Sequence, residues 1–527
     1  MSVLAANVEA APADLLESVP LPPSLVGSVI FNSGVNTCFI SDLTKSRPEW
    51  VHWKRKAHSF GFAFDVHVES VEAFKERSGA AQGARNATGD SEMQARVVAL
   101  LAKAAALPTS DVHVFTTPDA GNVQFRIHGE LENQTPLDVT ITRSMMNAVM
   151  NSMVDQGATG NQGNEMQYAR LAARFTPPGV AGLRISAAPI VDGRWMNFRL
   201  LRDNDDGISG TLAERLTALG FSAQQIEGLS EAVSRTQGMT VIVGTTGHGK
   251  STTLKHVFEA IAHERPGENL VSIEDPVEYR ISNVKQQSVN HEGFANADDA
   301  FNAHVRFNLR ADPDRALIGE LRDKETFKLA TRFVRTGHPV ATTLHTTRWY
   351  GVIDRLADEL RSPEISDPYA YLLKPEIFSC FVYQRLTKLV CPACGLDAEE
   401  HRNLIPDAVQ QSLVSLLETN CFSGLRLINS QGCDAEGCRH GVAGRTALAE
   451  VVPTTPMLLE VFREHGRAAA VDYWRAELNG QSIFDHAKEK LLAGLVDPLA
   501  VTADLGHLDS EIQENAARKR YEEGHKL

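Results

Sequence analysis

The chain lacks any apolar run approaching the roughly 18 residues that a membrane-spanning helix needs. Its first residues, Met1 to Glu9, carry neither the basic flank nor the apolar core of a secretory signal. A cytoplasmic location is expected, with any membrane association supplied by a partner. Positive charge is also short: a formal net charge of −14 over 527 residues argues against broad adhesion to nucleic acid or anionic lipid. No stable nucleic-acid partner is expected. Repeats and low-complexity tracts are absent. Cysteine is sparse, and four of the seven lie in two close pairs, which suits metal binding in a reducing compartment better than a disulfide scaffold. The remaining composition, 43% hydrophobic, is that of a globular chain long enough for three or four domains.

What is present is decided by Gly244, Thr245, Thr246, Gly247, His248, Gly249, Lys250, Ser251 and Thr252, which fit GxxxxGK[ST]. Met239 to Val243 reads as a buried strand before the loop. Leu254, Val257, Phe258 and Ile261 recur on one helix face after it. Small residues let backbone amides wrap a β-phosphate, and the helix N-terminus adds partial positive charge. Lys250 reaches the β- and γ-phosphates, and Ser251 holds Mg²⁺. This is a nucleotide site. His248 stands where Ser or Ala is usual; it is expected to face solvent or the phosphates, without a catalytic role.

Along the chain, residues 1–78 read as a small N-terminal region and 79–90 as a flexible linker rich in Gly and Ala. Residues 91–202 form an α+β domain. It holds a helix from Ser91 to about Leu107, a hairpin around Pro118 to Asn122, and a helix from about Met145 to Val154. A second hairpin pairs 183–186 with 196–200 across Asp192 and Gly193. A polar stretch, 203–207, leads into a nucleotide domain over 208–355, where short apolar runs at 269–273, 316–318 and 340–344 alternate with helices. That alternation predicts a parallel sheet with chemistry at the strand C-termini. Residues 356–527 are expected to be helical and to hold a metal-binding subdomain at about 391–440.

Four segments in order, the phosphate loop, Ser272 to Tyr279, Asp312 to Asp323 and Thr336 to Thr346, resemble the secretion-superfamily motor ATPases that power type II secretion and type IV pilus assembly. The resemblance covers about residues 90–450. It implies a RecA-like ATPase domain preceded by a PAS-like α+β domain, with a zinc-binding C-terminal part. Its cofactors are ATP, Mg²⁺ and structural Zn²⁺.

Each segment also has its own physical reading. Glu320 and Glu274 end strands beside the phosphates, where one carboxylate positions Mg²⁺ and another orients or deprotonates the attacking water; which is the base stays open. His338 and His345 are expected to point toward the γ-phosphate. Arg184 and Arg199, on the second hairpin, are candidate arginine fingers, with Arg126 behind them. Cys391, Cys394, Cys433 and Cys438 supply four thiolates to one tetrahedral Zn²⁺, with Cys421 and His440 as alternatives; the second pair has four intervening residues where the family has two. Cys38 and Cys380 read as buried small hydrophobes.

The resemblance further implies a homo-hexamer that pushes an inner-membrane platform protein and other pilus or secretion components. The cysteine cluster favours assembly over retraction motors. The alternatives are a retraction or DNA-transfer motor of the same superfamily, and a nucleotide-binding scaffold with negligible turnover.

Overall fold

The computed structural model describes residues 19–524 apart from 23–24, 26–27, 33–36, 158–164, 192, 203–206, 290–292 and 362–364. The expected turn residue Asp192 and most of the polar stretch at 203–207 therefore lie outside the described residues.

The N-terminal region is a three-stranded sheet, Val29–Asn32, Thr37–Ser41 and Asp65–Glu69. Helix Pro48–Ser59 presents Trp50, Trp53 and Ala57 to Cys38, Ile40 and Phe64, which together form a small core. The flexible linker expected at 79–90 is helical instead, because one helix runs from Val71 to Ala105. The helix propagates from its docked end at 91–105, and Ala80, Ala81, Ala84 and Ala87 help to carry it past three glycines.

The α+β domain is an antiparallel seven-stranded sheet running from edge strand Glu130–Asn133 to edge strand Val154–Gly157. Period-two alternation sends Val123, Phe125 and Ile127 to one face, where Leu101, Met145 and Met146 cover them. The second hairpin pairs the two expected segments, with Leu183 opposite Leu200 and Ser186 opposite Asn197. The helix expected from Met145 begins earlier, at Val139, because Asp138 caps it, and its last turn, Val149–Met153, widens to a π-helix.

The nucleotide domain is built on a second seven-stranded sheet. Its order is Lys285–Ser288, Leu270–Glu274, Arg315–Ile318, Val340–Leu344, Met239–Val243, Phe378–Val390 and Val442–Pro453. The first six strands are parallel and the last is antiparallel. Helices Ala223–Ser234 and Lys250–Glu264 pack on one face, and Ala297–Asn308, Lys324–Arg335 and Gly351–Leu360 on the other.

The α/β class follows the sequence reading, but the sheet does not stop near 355. Phe378–Val390 and Val442–Pro453 belong to it, so 356–527 is not purely helical. Phe378 to Tyr383 is buried at every position, and such a continuous run has no period to separate strand from helix. Helices Pro456–Glu477, broken at Gly466, Ile483–Leu492, Pro498–Leu505 and Ser510–Gly524 close the C-terminal side. Among the described residues no helix is long and apolar enough to cross a membrane.

Candidate nucleotide and metal sites

Strand Met239–Val243 delivers the loop and helix Lys250–Glu264 receives it. Gly247 and Gly249 take φ values of 84° and 78°, and Gly244 lies so close to the next strand that a Cβ would sit 2.4 Å from the Gln384 carbonyl oxygen. Lys250 is buried and folds back over the loop, its Nζ donating to the carbonyls of Gly244 (2.8 Å) and Thr245 (3.2 Å). Desolvation pulls its pKa below the ordinary range, opposed by Glu320 and Glu278. An anionic ligand restores what burial removes. Ser251 lines a small cavity with Lys255, Glu274, Tyr279 and Thr343.

His248 does not face solvent or the phosphates as expected. Its Nδ1 accepts from the Leu386 amide at 3.0 Å, while Gln384 donates to its carbonyl at 2.7 Å and accepts from Thr253 at 3.0 Å. The loop is thus pinned to strand Phe378–Val390. Burial, with Arg385 and Lys250 nearby, lowers the imidazole pKa to about 4.

The two histidines of the fourth segment part company. His345 follows the end of Val340–Leu344, with Nδ1 3.4 Å from Lys250 Nζ and Nε2 3.4 Å from Glu320. His338 precedes the same strand at its other end, where Thr336 and Phe333 hold it. The strand between them has five residues and, at about 3.3 Å each, is roughly 16 Å long. The structure therefore does not bring His338 to the phosphates.

Glu320 continues from His345 to Arg322 (3.7 Å), and Arg322 pairs with Asp275 at 2.7 Å. Arg322 ties two acidic segments together and escaped the sequence reading, although it stands inside the third matched segment. Glu274, at the end of its strand, accepts from Ser272 (2.7 Å) and Gln286 (3.1 Å). Burial still raises its pKa above the usual carboxylate value.

Arg184 and Arg199 face each other across the second hairpin. Arg184 crosses to the nucleotide domain, where its Nη2 donates to the Pro276 carbonyl at 3.1 Å and lies 3.9 Å from Glu278. Arg199 does not cross; Asp111 of its own domain holds it at 3.0 Å. Arg126 is likewise engaged at home, with the Gly129 carbonyl at 2.7 Å. Only Arg184 of the three is brought to the site.

Cys391, Cys394, Cys433 and Cys438 converge with all four sulfurs within 4.8 Å of one another. The sulfurs of Cys391 and Cys433 are 3.9 Å apart, and those of Cys394 and Cys438 3.8 Å. Disulfides need about 2.05 Å, whereas four thiolates at 2.3 Å from one tetrahedral zinc stand about 3.8 Å apart. The donor set fits zinc, and the longer second spacing does not prevent it. Cys421 and His440 are not in the cluster. Four thiolates leave no open position, so such a metal is structural.

Residues 86–514 match the family model described as type II/IV secretion system protein, extending the expected match well beyond 450. The chain is 30% identical over 400 residues to a type II secretion system protein E of Pseudomonas aeruginosa, covering 75% of this chain and 72% of that protein. It is 32% identical over 344 residues to the type IV pilus assembly ATPase PilB of Thermus thermophilus, covering 65% and 35%. The solved structure of the Legionella pneumophila ATPase DotB shares the fold, with a TM-score of 0.51 at 19% identity over 76% of this chain and 92% of that one. With a family model spanning most of its length and a phosphate loop, strand-end acids and buried lysine in one cleft, the chain belongs to the type II/IV secretion system protein family and is an ATPase.

Proposed function

We propose that the chain is a hexameric motor that couples ATP hydrolysis to the assembly of type IV pili or type II secretion pseudopili. It acts from the cytoplasm on an inner-membrane platform protein. The observation that carries this reading is Arg184, delivered by the preceding domain to the acidic segment beside the phosphate loop. A residue shared between two domains makes the site sensitive to their closure, which a motor requires.

In this mechanism the loop amides and Lys250 hold the β- and γ-phosphates, Lys250 exchanging its carbonyl partners for phosphate oxygens. Ser251 would hold Mg²⁺, which supplies neutralisation of phosphate charge. Glu274, whose burial raises its affinity for a proton, takes one from the attacking water. Glu320 is aligned by His345 and Arg322, and Arg184 stabilises charge on the γ-phosphate. Release of products then lets the arginine hairpin part from the acidic segment. The four-cysteine cluster supports assembly over retraction.

The test is phosphate release by the purified full chain. Lys250→Ala is expected to abolish it, and retention of most activity would remove the loop from the mechanism. A wild-type chain that binds ATP but releases no phosphate even with its platform partner identifies a scaffold instead. DNA-stimulated turnover with a steep salt dependence identifies a DNA-transfer motor.

A further inference from the structure

The zinc-type cluster sits at the far end of the two strands that the sheet adds after residue 355. Cys391 directly follows Phe378–Val390, and Cys438 shortly precedes Val442–Pro453. Between Cys438 and that strand lies a tight turn. Arg439 and Val442 exchange two backbone hydrogen bonds at 2.9 Å, while His440 and Gly441 occupy left-handed conformations at φ 49° and 78°. The Cys391 amide donates to the Gly441 carbonyl at 2.8 Å, so the turn is fastened to the first cysteine pair as well.

Arg439 therefore projects from a turn whose shape the cysteines set. Its guanidinium forks both oxygens of Glu132, Nε donating to Oε1 at 2.8 Å and Nη2 to Oε2. Glu132 belongs to the edge strand Glu130–Asn133 of the α+β domain, 307 residues away in sequence. The pair is partly shielded, with side-chain exposures of 30% and 24%, and Arg439 correspondingly holds the Glu132 carboxyl below its ordinary range. A second ion pair, Lys388 with Glu130, joins the same edge strand to strand Phe378–Val390, but Glu130 is 69% exposed and adds little. Among the described residues the α+β domain thus reaches the nucleotide domain through its hairpin, where Arg184 meets Pro276, and through its edge strand, where Glu132 meets Arg439 of the cysteine loop and Glu130 meets Lys388.

We propose that the zinc loop positions the arginine hairpin: by fixing Arg439 it clasps Glu132 and so holds Arg184 at the acidic segment. Arg439 and Glu132 are positioning residues, and the metal site serves domain docking as well as closing its own subdomain. This rests on the role given above to Arg184. The donor set and its spacing fit zinc, while the clasp itself is made of this chain's own side chains.

The experiment measures hydrogen exchange of amides 128–133 in the full zinc-loaded chain saturated with Mg²⁺ and a non-hydrolysable ATP analogue, together with zinc content and ATP kinetics. Arg439→Gln and Glu132→Gln are each expected to keep one zinc per chain. Each should speed exchange at 128–133 by about three- to tenfold and lower kcat by a similar factor. The double variant should be no worse than either single, and exchanging the charges, Glu132→Arg with Arg439→Glu, should recover protection. Chelating zinc from the wild type should reproduce the faster exchange.

Unchanged protection in Glu132→Gln, which leaves the cysteine loop untouched, overturns the proposal. So do additive losses in the double variant, or chelation without effect at 128–133. Because the exchange readout needs no turnover, absence of ATPase activity in the wild type would sink the motor reading and leave this result standing.

Discussion

His345 stands between the phosphate-loop lysine and Glu320, its Nε2 3.4 Å from the carboxylate and its Nδ1 3.4 Å from Lys250. Desolvation first, then Lys250, lowers its pKa, and Glu320 only partly opposes them, so the ring is neutral near pH 7. An ammonium can only donate, so Nδ1 accepts from Lys250 and the Nε2 hydrogen points at Glu320. The imidazole fixes the relative positions of a cation and an anion. His345→Ala is expected to lower kcat by about tenfold or more, through lost alignment of Glu320. An unchanged kcat in phosphate-release assays would place His345 outside the reaction.

Glu274 carries the second prediction. Its raised pKa and its fixed contacts with Ser272 and Gln286 suit a base. Glu274→Gln should cut turnover by about 10²- to 10⁴-fold while nucleotide still binds. In the wild type, the acid limb of the kcat profile should lie above the ordinary carboxylate value of 4.5. A variant with normal turnover, or an acid limb that the substitution leaves in place, would assign the base elsewhere.

Much of this site was legible because the chemistry sits in short contiguous segments. Lys250, Glu274, Glu320 and His345 each end or follow one of the parallel strands of a single sheet, and that placement is set by local order. His338 was misread because a motif records neighbours in sequence, whereas a strand puts residues before and after it at opposite ends of a sheet. His248 could not be placed from the loop alone. Its partner Leu386 lies on a strand whose apolar run has no period, and the run therefore gave no sign of joining the sheet. Arg199 and Arg126 share the hairpin chemistry of Arg184, but Asp111 and the Gly129 carbonyl reach them first.

The third prediction concerns the metal. Cys391→Ser should drive zinc content from one per chain toward zero and destabilise the C-terminal part before nucleotide affinity changes. Elemental analysis beside nucleotide titration checks this. Full zinc occupancy in the variant would refute the ligand assignment.

A fourth prediction follows from His486, which is 1% exposed and whose Nδ1 accepts from the Ala449 amide at 3.1 Å and lies 3.2 Å from the Gln225 side-chain amide. Burial lowers its pKa from 6.5 to about 3. Between those values the unfolded chain takes up a proton that the folded chain refuses. The stabilisation is therefore full above pH 6.5 and is lost as pH falls toward 3. His486→Asn, which removes the titrating group, should flatten the pH dependence of thermal stability in that window relative to wild type. Parallel curves for the two proteins would contradict it.

The central claim is that the triphosphate is gripped between the phosphate loop and an arginine brought by the preceding domain, and Arg184→Ala tests it most directly. Steady-state phosphate release at saturating Mg-ATP should fall by about 10³-fold or more with nucleotide still bound. Turnover equal to wild type, in a variant that folds and assembles normally, would contradict the account.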